Sequence, residues 1–236
     1  MGGRYYFQIT ALPSLGQLGS APPMTPMELI DHLGDDPAPA ELVKAIFLGD
    51  DLLQRDSYLS GEAQEVSPVV LSPAQATNEG PLPDELSPGE THHHVPGDAV
   101  WDAYYRYVRS VGDKTNSEFL NGWVGYEVSL RNVLAEARAK VLGLEPSHYI
   151  VASDLATSGE KFDSIIGEWS AAKNPLEALR IIDRARWDWL ARNDKWFTFD
   201  QDELAAYAAR LMMLHRWHRF SKGAEPPSRQ AQRNTQ

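Results

Sequence analysis

Residues 119–139 read FLNGWVGYEVSLRNVLAEARA, and this stretch decides the fold. Its leucines, valines, tryptophan and tyrosine recur at intervals of three and four residues, which is the spacing of one face of an α-helix. The stretch is therefore predicted to form one long helix. Glu127, Arg131 and Asn132 interrupt the apolar residues near its middle. They could belong to a catalytic site, a partner site or a solvated edge.

Glu127 is predicted to lie on the apolar face of this helix. It falls at helical intervals with Trp123 and Leu130. Arg131 follows four residues later, in the favourable order for an ion pair with Glu127. One carboxylate with one arginine does not divide the roles of general acid and general base. The spacing therefore favours a structural or interface role, in which Asn132 fixes how neighbouring helices meet.

Capping signals predict where the helices begin and end. The long helix is expected to begin at a Thr115–Glu118 capping box and to end at Gly143. Of the other predicted helices, one begins at Thr25–Pro26–Glu28 and ends at Gly34, and the next runs from about Pro39 to Ser60. A third begins with Asp98 as its N-cap, and a fourth spans residues 162–172. Two more begin at Asn174–Pro175–Glu177 and at Asp200–Glu203.

These elements predict an all-α fold. Helical periodicity dominates, and the segment that alternates like a strand is residues 4–10. We expect a helical bundle built from antiparallel helix pairs. It would carry a Pro/Gly-rich excursion and at most a short extended N-terminal segment.

Four regions are predicted along the chain. Residues 1–62 form an N-terminal helical region, and residues 98–222 form a C-terminal helical bundle. Between them, residues 63–97 contain six prolines and three glycines, which indicates an acidic linker or surface loop. Within that loop, Val69–Leu71 is a candidate for docking as an extended segment. Residues 223–236 are predicted to be a disordered tail.

The composition excludes several classes of function. The chain has 236 residues, a net charge of -11 and no cysteine. Without cysteine there is no disulfide framework, thiol nucleophile or thiolate metal site. The negative charge argues against non-specific nucleic-acid binding, which needs a basic face. No apolar run is long enough to cross a membrane, and the N-terminus is a poor signal peptide, so we expect a cytoplasmic protein.

The charge is distributed unevenly. Residues 1–98 hold 3 Lys/Arg and 15 Asp/Glu, a net of -12, whereas residues 99–236 hold 19 Lys/Arg and 18 Asp/Glu, a net of +1. The first part is either a solvated acidic half or an acidic surface offered to a basic partner.

Two groups of basic residues have alternative interpretations. His92, His93 and His94 lie in Pro/Gly-rich sequence, which does not hold three or four ligands in the converging geometry that zinc needs. We therefore predict a solvated loop and no metal site. The segment LHRWHRFSK, residues 214–222, places basic side chains at a helix C-terminus. There they would complement the helix dipole or form a cationic contact surface.

Four stretches resemble an uncharacterised bacterial family: YYFQITALPSL, the stretch 119–139, NPLEALRIIDRARWDWL and FDQDELAAYAARLMMLHRW. Genes of that family typically lie among those for the components of V-type (A/V-type) ATPases. The family is also distantly similar to the central-stalk component named C, or d in eukaryotes. The motif residues, for which a structural or interface role is expected, are Trp123, Glu127, Arg131, Asn132, Asn174, Pro175, Glu177, Arg186 and Trp187.

The resemblance implies a non-catalytic component that couples the rotor shaft of a V-type ATPase to its membrane ring. It would act at the cytoplasmic face of the membrane, and its partners would be the central shaft and the rotor ring. No cofactor, nucleic acid or small-molecule substrate is expected. Two alternatives stay open: an assembly factor that binds the complex transiently, and a small hydrolase that uses Glu127 with Arg131 or the histidines.

Overall fold

The protein is all-helical, as the sequence predicts. The computed structural model describes residues 4–34, 36–87, 89 and 93–223, and no β-strand occurs within those ranges. Its α-helices are α1 (Tyr6–Thr10), α2 (Pro26–His32), α3 (Pro37–Leu59), α4 (Pro73–Ala76), α5 (Pro96–Thr115), α6 (Glu118–Leu142), α7 (Asp163–Ser170), α8 (Pro175–Arg192) and α9 (Gln201–Gly223). Short 3₁₀ turns span Asp84–Leu86, Pro146–Tyr149 and Ser153–Leu155. Within the described part of the chain, no helix combines the length and the apolar character that crossing a bilayer requires.

Helices α3, α5, α6 and α9 enclose the hydrophobic core. Helix α3 packs against α9 and α5, α5 packs against α6, and α8 joins α7 to α9. Asn116 and Ser117 are all that connects α5 to α6, so these two helices form an antiparallel pair. Phe47, Tyr126 and Leu204 are among the largest fully buried side chains. The arrangement is a helical bundle with one continuous core.

Helix α9 is largely buried as far as Leu214, whereas Arg219 and Phe220 near its end are exposed. Four of its alanines, Ala205, Ala206, Ala208 and Ala209, are in the core together with Leu204. These positions are nearly consecutive, so they cannot all lie on one helical face. Small side chains allow neighbouring helices to approach closely, and the most extensive helix packing in the protein is between α9 and α3.

The turn between α5 and α6 corrects one predicted helix start. Thr115 is the last residue of α5, and its hydroxyl donates to the carbonyl of Val111. Asn116 then reverses the chain with a positive φ of 53°, which makes Ser117 the N-cap of α6. The Ser117 hydroxyl accepts the N–H of Leu120 at 3.1 Å. The Thr115–Glu118 capping box is therefore wrong, because the left-handed residue moves the cap two positions along the chain.

Several other predicted helix ends are confirmed. Thr25 and Glu28 form a reciprocal capping box at the start of α2. Asn174 caps α8: its Oδ1 accepts the N–H of Glu177 at 2.9 Å. Gly143 ends α6 with a φ of 67°, a conformation that costs glycine little.

The N-terminal segment is a helical turn and not an extended strand. Helix α1 spans Tyr6–Thr10, and the Thr10 hydroxyl donates to the carbonyl of Tyr6 at 2.7 Å. The alternation does not mark one buried face, since Phe7 is 83% exposed. Tyr5 is buried, and its N–H donates to the carbonyl of Phe199, which ties this turn to the loop before α9.

The proline-rich segment packs on the bundle through Asp51 of α3. The Asp51 carboxylate accepts the N–H groups of Val69, Val70 and Leu71 at 2.6–3.0 Å. Burial raises the pKa of Asp51 to about 6, and the three N–H groups oppose that shift. Leu86 is also fully buried. One carboxylate therefore holds three successive residues of the segment against α3.

Candidate functional site

Glu127 binds Arg186 of α8 and not Arg131. Arg186 Nε donates to Glu127 Oε1 at 2.7 Å, and Arg186 Nη2 donates to Oε2 at 2.9 Å. The Glu127 side chain is 13% exposed. A guanidinium that faces a carboxylate from a neighbouring helix can contact both oxygens, which makes this the stronger geometry. The predicted Glu127–Arg131 ion pair is therefore wrong.

Arg131 turns instead towards α5. Its Nη2 donates to Asp98 Oδ1 at 2.8 Å, and its guanidinium carbon lies 4.8 Å from the centre of the Trp101 ring. Asp98 is not the N-cap that the sequence suggested, because α5 begins at Pro96 and places Asp98 in the first turn. Glu127 and Arg131 thus attach α6 to two different helices.

A second carboxylate, that of Asp183 on α8, is shared by two arginines. Its Oδ1 accepts from Arg186 Nη1 at 3.2 Å and lies 3.2 Å from Arg216 Nη2 of α9. Arg219 of α9 binds Asp50 of α3 at 2.6–2.7 Å, and its side chain is 39% exposed. Arg216 is therefore an internal ion-pair partner and is not part of a cationic contact surface, whereas Arg219 is a surface ion-pair partner of Asp50.

The two arginines on Asp183 differ in their electrostatics. Burial lowers the pKa of Arg216, with Asp183 opposing this and Arg186 adding to it. Burial also acts to lower the pKa of Arg186, but the charge and hydrogen bonds of Glu127 outweigh it, so that this pKa lies above its ordinary value. The positive charge of Arg216 is the less well compensated of the two.

Asn132 fixes the chain that follows α6. Its Nδ2 donates to the carbonyl of Val151 at 2.8 Å, and its Oδ1 accepts the N–H of Val151 at 3.0 Å. One turn earlier, the hydroxyl of Ser129 accepts the N–H of Thr157 at 3.0 Å. Asn132 therefore positions a loop, whereas the sequence predicted that it would set a contact between helices.

The remaining motif residues lie along α8. Asn174, Pro175 and Glu177 form the start of that helix. Trp187 lies under the guanidinium of Arg210, 5.3 Å from the ring centre. These residues shape α8 and its packing on α9.

Four motif residues are brought together in one cleft. Trp123, Glu127, Arg131 and Arg186 line a cleft of about 470 Å³ that also contacts α3, α5 and α9. The other five motif residues do not line it. The sequence therefore indicated part of this cleft. It placed Arg216 in the basic segment 214–222 at a helix C-terminus, and not beside Glu127 and Arg186.

The histidine triplet lies partly outside the described residues, which omit His92. Nε2 of His93 is 4.0 Å from Asp102 Oδ1, and the ring of His94 stacks on His148 at 4.6 Å. Among the residues that the structure describes, no three side chains of metal-binding type converge.

A second candidate site is a surface of five aromatic side chains, which we call the aromatic surface: Tyr6, Phe7, Trp196, Phe197 and Phe199. Their rings are in contact in the order Phe7, Tyr6, Phe199, Phe197 and Trp196, with ring centres 4.9–6.3 Å apart. Phe197 is 79% exposed. The helical patterns in the sequence do not indicate this site. The run KWFTFD, with three aromatic residues in a loop, is the feature that marks it.

The backbone of the aromatic surface is strained. Phe197 has a φ of 64° and Phe199 a φ of 51°, a left-handed conformation that costs a residue with a side chain about 1–2 kcal/mol. Hydrogen bonds maintain it, since the N–H of Phe199 donates to Glu203 Oε2 at 2.8 Å and the Thr198 hydroxyl donates to Asp200 Oδ1 at 2.9 Å. Strain that the surroundings enforce in this way is concentrated at functional sites.

Comparison with known proteins gives one match. A family model described as "Protein of unknown function (DUF2764)" matches residues 85–225, which is more than half of the chain. No curated protein and no solved structure matches. The matched range includes α5 to α9, and so it contains Glu127, Arg131, Arg186 and Arg216.

Proposed function

The chain belongs to the DUF2764 family of proteins of unknown function, and we propose that it is a non-catalytic component of a V-type ATPase, similar in role to the central-stalk component C/d. In this role it couples the rotor shaft to the membrane ring at the cytoplasmic face of the membrane. The identity of the complex comes from the family resemblance in the sequence. The observation that carries a docking role is the aromatic surface.

Aromatic side chains, phenylalanine among them, are enriched at protein interfaces. The side chains of Phe7 and Phe197 are exposed to solvent, and these two residues are 190 positions apart in the sequence. A backbone bond from Tyr5 to Phe199 holds these segments together at 3.1 Å. The aromatic surface is therefore pre-organised, which reduces the entropy that a partner must remove on binding.

The ion pairs inside the bundle suit a coupling part. Glu127–Arg186 connects α6 to α8, and Arg131–Asp98 connects α6 to α5. Such pairs keep helices in one register, because breaking one leaves a buried charge without compensation. A component that transmits motion between a shaft and a ring needs helices that keep their relative positions.

The two alternatives differ in their support. An assembly factor would use the same aromatic surface, so it stays the second candidate. A hydrolase based on Glu127 with Arg131 requires the two side chains to act together. They bind partners on different helices, and both oxygens of Glu127 accept hydrogen bonds from Arg186. This geometry favours the docking role over the hydrolase.

The test is purification of the tagged protein from its native host after mild solubilisation. Stoichiometric recovery with the intact, ATP-hydrolysing complex is the expected result. Recovery with partial complexes alone would favour the assembly factor, and recovery without any part of the ATPase would overturn both candidates.

A pair of variants tests the aromatic surface itself. Phe197→Asn removes an exposed ring and replaces it with a residue that tolerates the left-handed backbone, so the variant should keep its fold. Val141→Asn is the matched control, because Val141 is 85% exposed and lies on α6, away from the surface. We expect Phe197→Asn to reduce recovery of the complex at least tenfold and Val141→Asn to leave it unchanged. Equal recovery with both variants would place the docking site elsewhere.

A further inference from the structure

The C-terminal end of α6 extends beyond the helix with which it pairs. Helix α6 has 25 residues, whereas α5 has 20. Because only two residues connect these antiparallel helices, the last turn of α6 lies beyond the first turn of α5. On this end Leu142 is 69% exposed, and Leu144, which follows the terminating Gly143, is 44% exposed. Exposed apolar side chains that cluster beside a cleft are typical of an interaction site.

The same face of α6 continues from this end as one wall of the cleft. The residues that line the cleft here fall at positions i, i+3, i+4 and i+7 of one helical face: Ala135, Arg138, Ala139 and Leu142. The two alanines are one turn apart, and their short side chains allow another helix to approach this face closely. The face is therefore shaped for a helix that lies along it.

Two exposed side chains of opposite charge flank Leu142 along the chain. Arg138 lies four residues before it, and its guanidinium carbon is 5.3 Å from the ring centre of Trp169. Glu145 lies three residues after it and accepts a hydrogen bond from Ser147 Oγ at 3.1 Å. Within the part of the chain that the structure describes, neither Arg138 nor Glu145 forms an ion pair. The order along this surface is therefore cation, leucine and anion.

We propose that this surface binds a second copy of the chain, so that two copies form a dimer with a two-fold axis near Leu142. A two-fold interface requires a surface that is complementary to itself. Two-fold symmetry reverses the direction of the second surface, so the leucines meet at the axis and Arg138 of each copy faces Glu145 of the other. The end of each α6 then covers the mouth of the other copy's cleft. The contact uses no residue of the aromatic surface and is independent of the docking role proposed above.

The test is the mass of the purified full chain in solution, measured by size-exclusion chromatography with light scattering. We expect twice the chain mass of 26.3 kDa. Leu142→Asp places two like charges at the axis and should give a monomer, and because Leu142 is exposed the variant should keep its helical circular dichroism. Met27→Asp is the matched control, since Met27 is 49% exposed and lies on α2, and it should stay dimeric. A monomeric wild type, or a dimer that survives Leu142→Asp, would overturn the proposal without bearing on ATPase recovery.

Exchange of the two charges tests the two-fold pairing. Arg138→Glu alone, or Glu145→Arg alone, places like charges opposite each other across the interface, which is unfavourable. Each should raise the dissociation constant of the dimer by roughly tenfold or more in sedimentation equilibrium. The double variant restores opposite charges at both contacts and should return the constant to near its wild-type value. Single variants that dimerise as well as the wild type, or a double variant no better than the single ones, would refute the pairing of Arg138 with Glu145.

Discussion

Replacing Glu127 by glutamine measures how strongly α6 depends on its ion pair with α8. Both Glu127 oxygens accept from Arg186, at 2.7 and 2.9 Å, and both side chains are largely buried. Glutamine keeps the shape but removes the charge, and its amide nitrogen is a donor in the place of one of the two oxygens that accept from Arg186. Loss of one member of a buried pair costs about 3–5 kcal/mol. Asp183 still contacts Arg186 in the variant, so we expect a cost near 3 kcal/mol.

Urea unfolding followed by tryptophan fluorescence gives this free energy directly. In thermal unfolding, about 3 kcal/mol corresponds to a fall in Tm of roughly 6–12 °C for a chain of this size. Glu136→Gln is the matched control on the same helix. The Glu136 side chain is 46% exposed and its Oε2 lies 3.7 Å from Lys140 Nζ, and a solvated surface pair of this kind contributes about 0–1 kcal/mol.

A double-mutant cycle identifies the partner of Glu127. The coupling energy between Glu127→Gln and Arg186→Met should reach about 2–3 kcal/mol, whereas that between Glu127→Gln and Arg131→Met should be below about 0.5 kcal/mol. A stronger coupling to Arg131, or a cost for Glu127→Gln no greater than for Glu136→Gln, would refute the assignment of this ion pair.

Three further predictions concern stability. Trp123→Ala removes a buried ring that packs 5.4 Å from Trp189, and should cost about 3–5 kcal/mol; a shift in the thermal midpoint below one degree would contradict this. Asn132→Ala leaves the buried N–H and carbonyl of Val151 unpaired, which should cost about 1–3 kcal/mol and speed hydrogen exchange of the Val151 amide; unchanged exchange would contradict the loop-fixing role. Folding raises the pKa of Asp51 from 3.8 to about 6, so between these two pH values the folded state binds more protons than the unfolded state. Relative to Asp51→Asn, the free energy of unfolding should therefore be highest below pH 4 and fall by about 3 kcal/mol as the pH rises through 6; a difference independent of pH would contradict it.

Local signals in the sequence predicted the helix boundaries well where the cap and its target lie within one turn. Thr25 with Glu28 and Asn174 with Glu177 are examples, because each hydrogen bond spans three residues. The same rule failed at Thr115, since the left-handed backbone of Asn116 is set by how α5 and α6 pack.

The candidate sites depend on contacts that are distant in the sequence. Glu127 and Arg186 are 59 residues apart, and an i,i+4 rule selects Arg131 because it considers one helix alone. The aromatic surface likewise requires that the N-terminal turn lie beside the loop before α9. Residue patterns correctly placed Glu127 on the apolar face of α6. Its ion-pair partner, however, depends on which helices pack beside α6.

The position of α9 affects how the chain behaves during synthesis. Helix α3 finds its most extensive packing on α9, and the end of α3 is separated from the start of α9 by roughly 140 residues. At about 5–20 residues per second, the ribosome needs roughly 7–28 s to make that interval. Throughout this time the apolar face of α3 lacks α9, the helix against which it packs most extensively in the folded protein. The nascent chain is therefore a natural client for chaperones that bind exposed apolar helices, and slower translation before α9 would increase its tendency to aggregate.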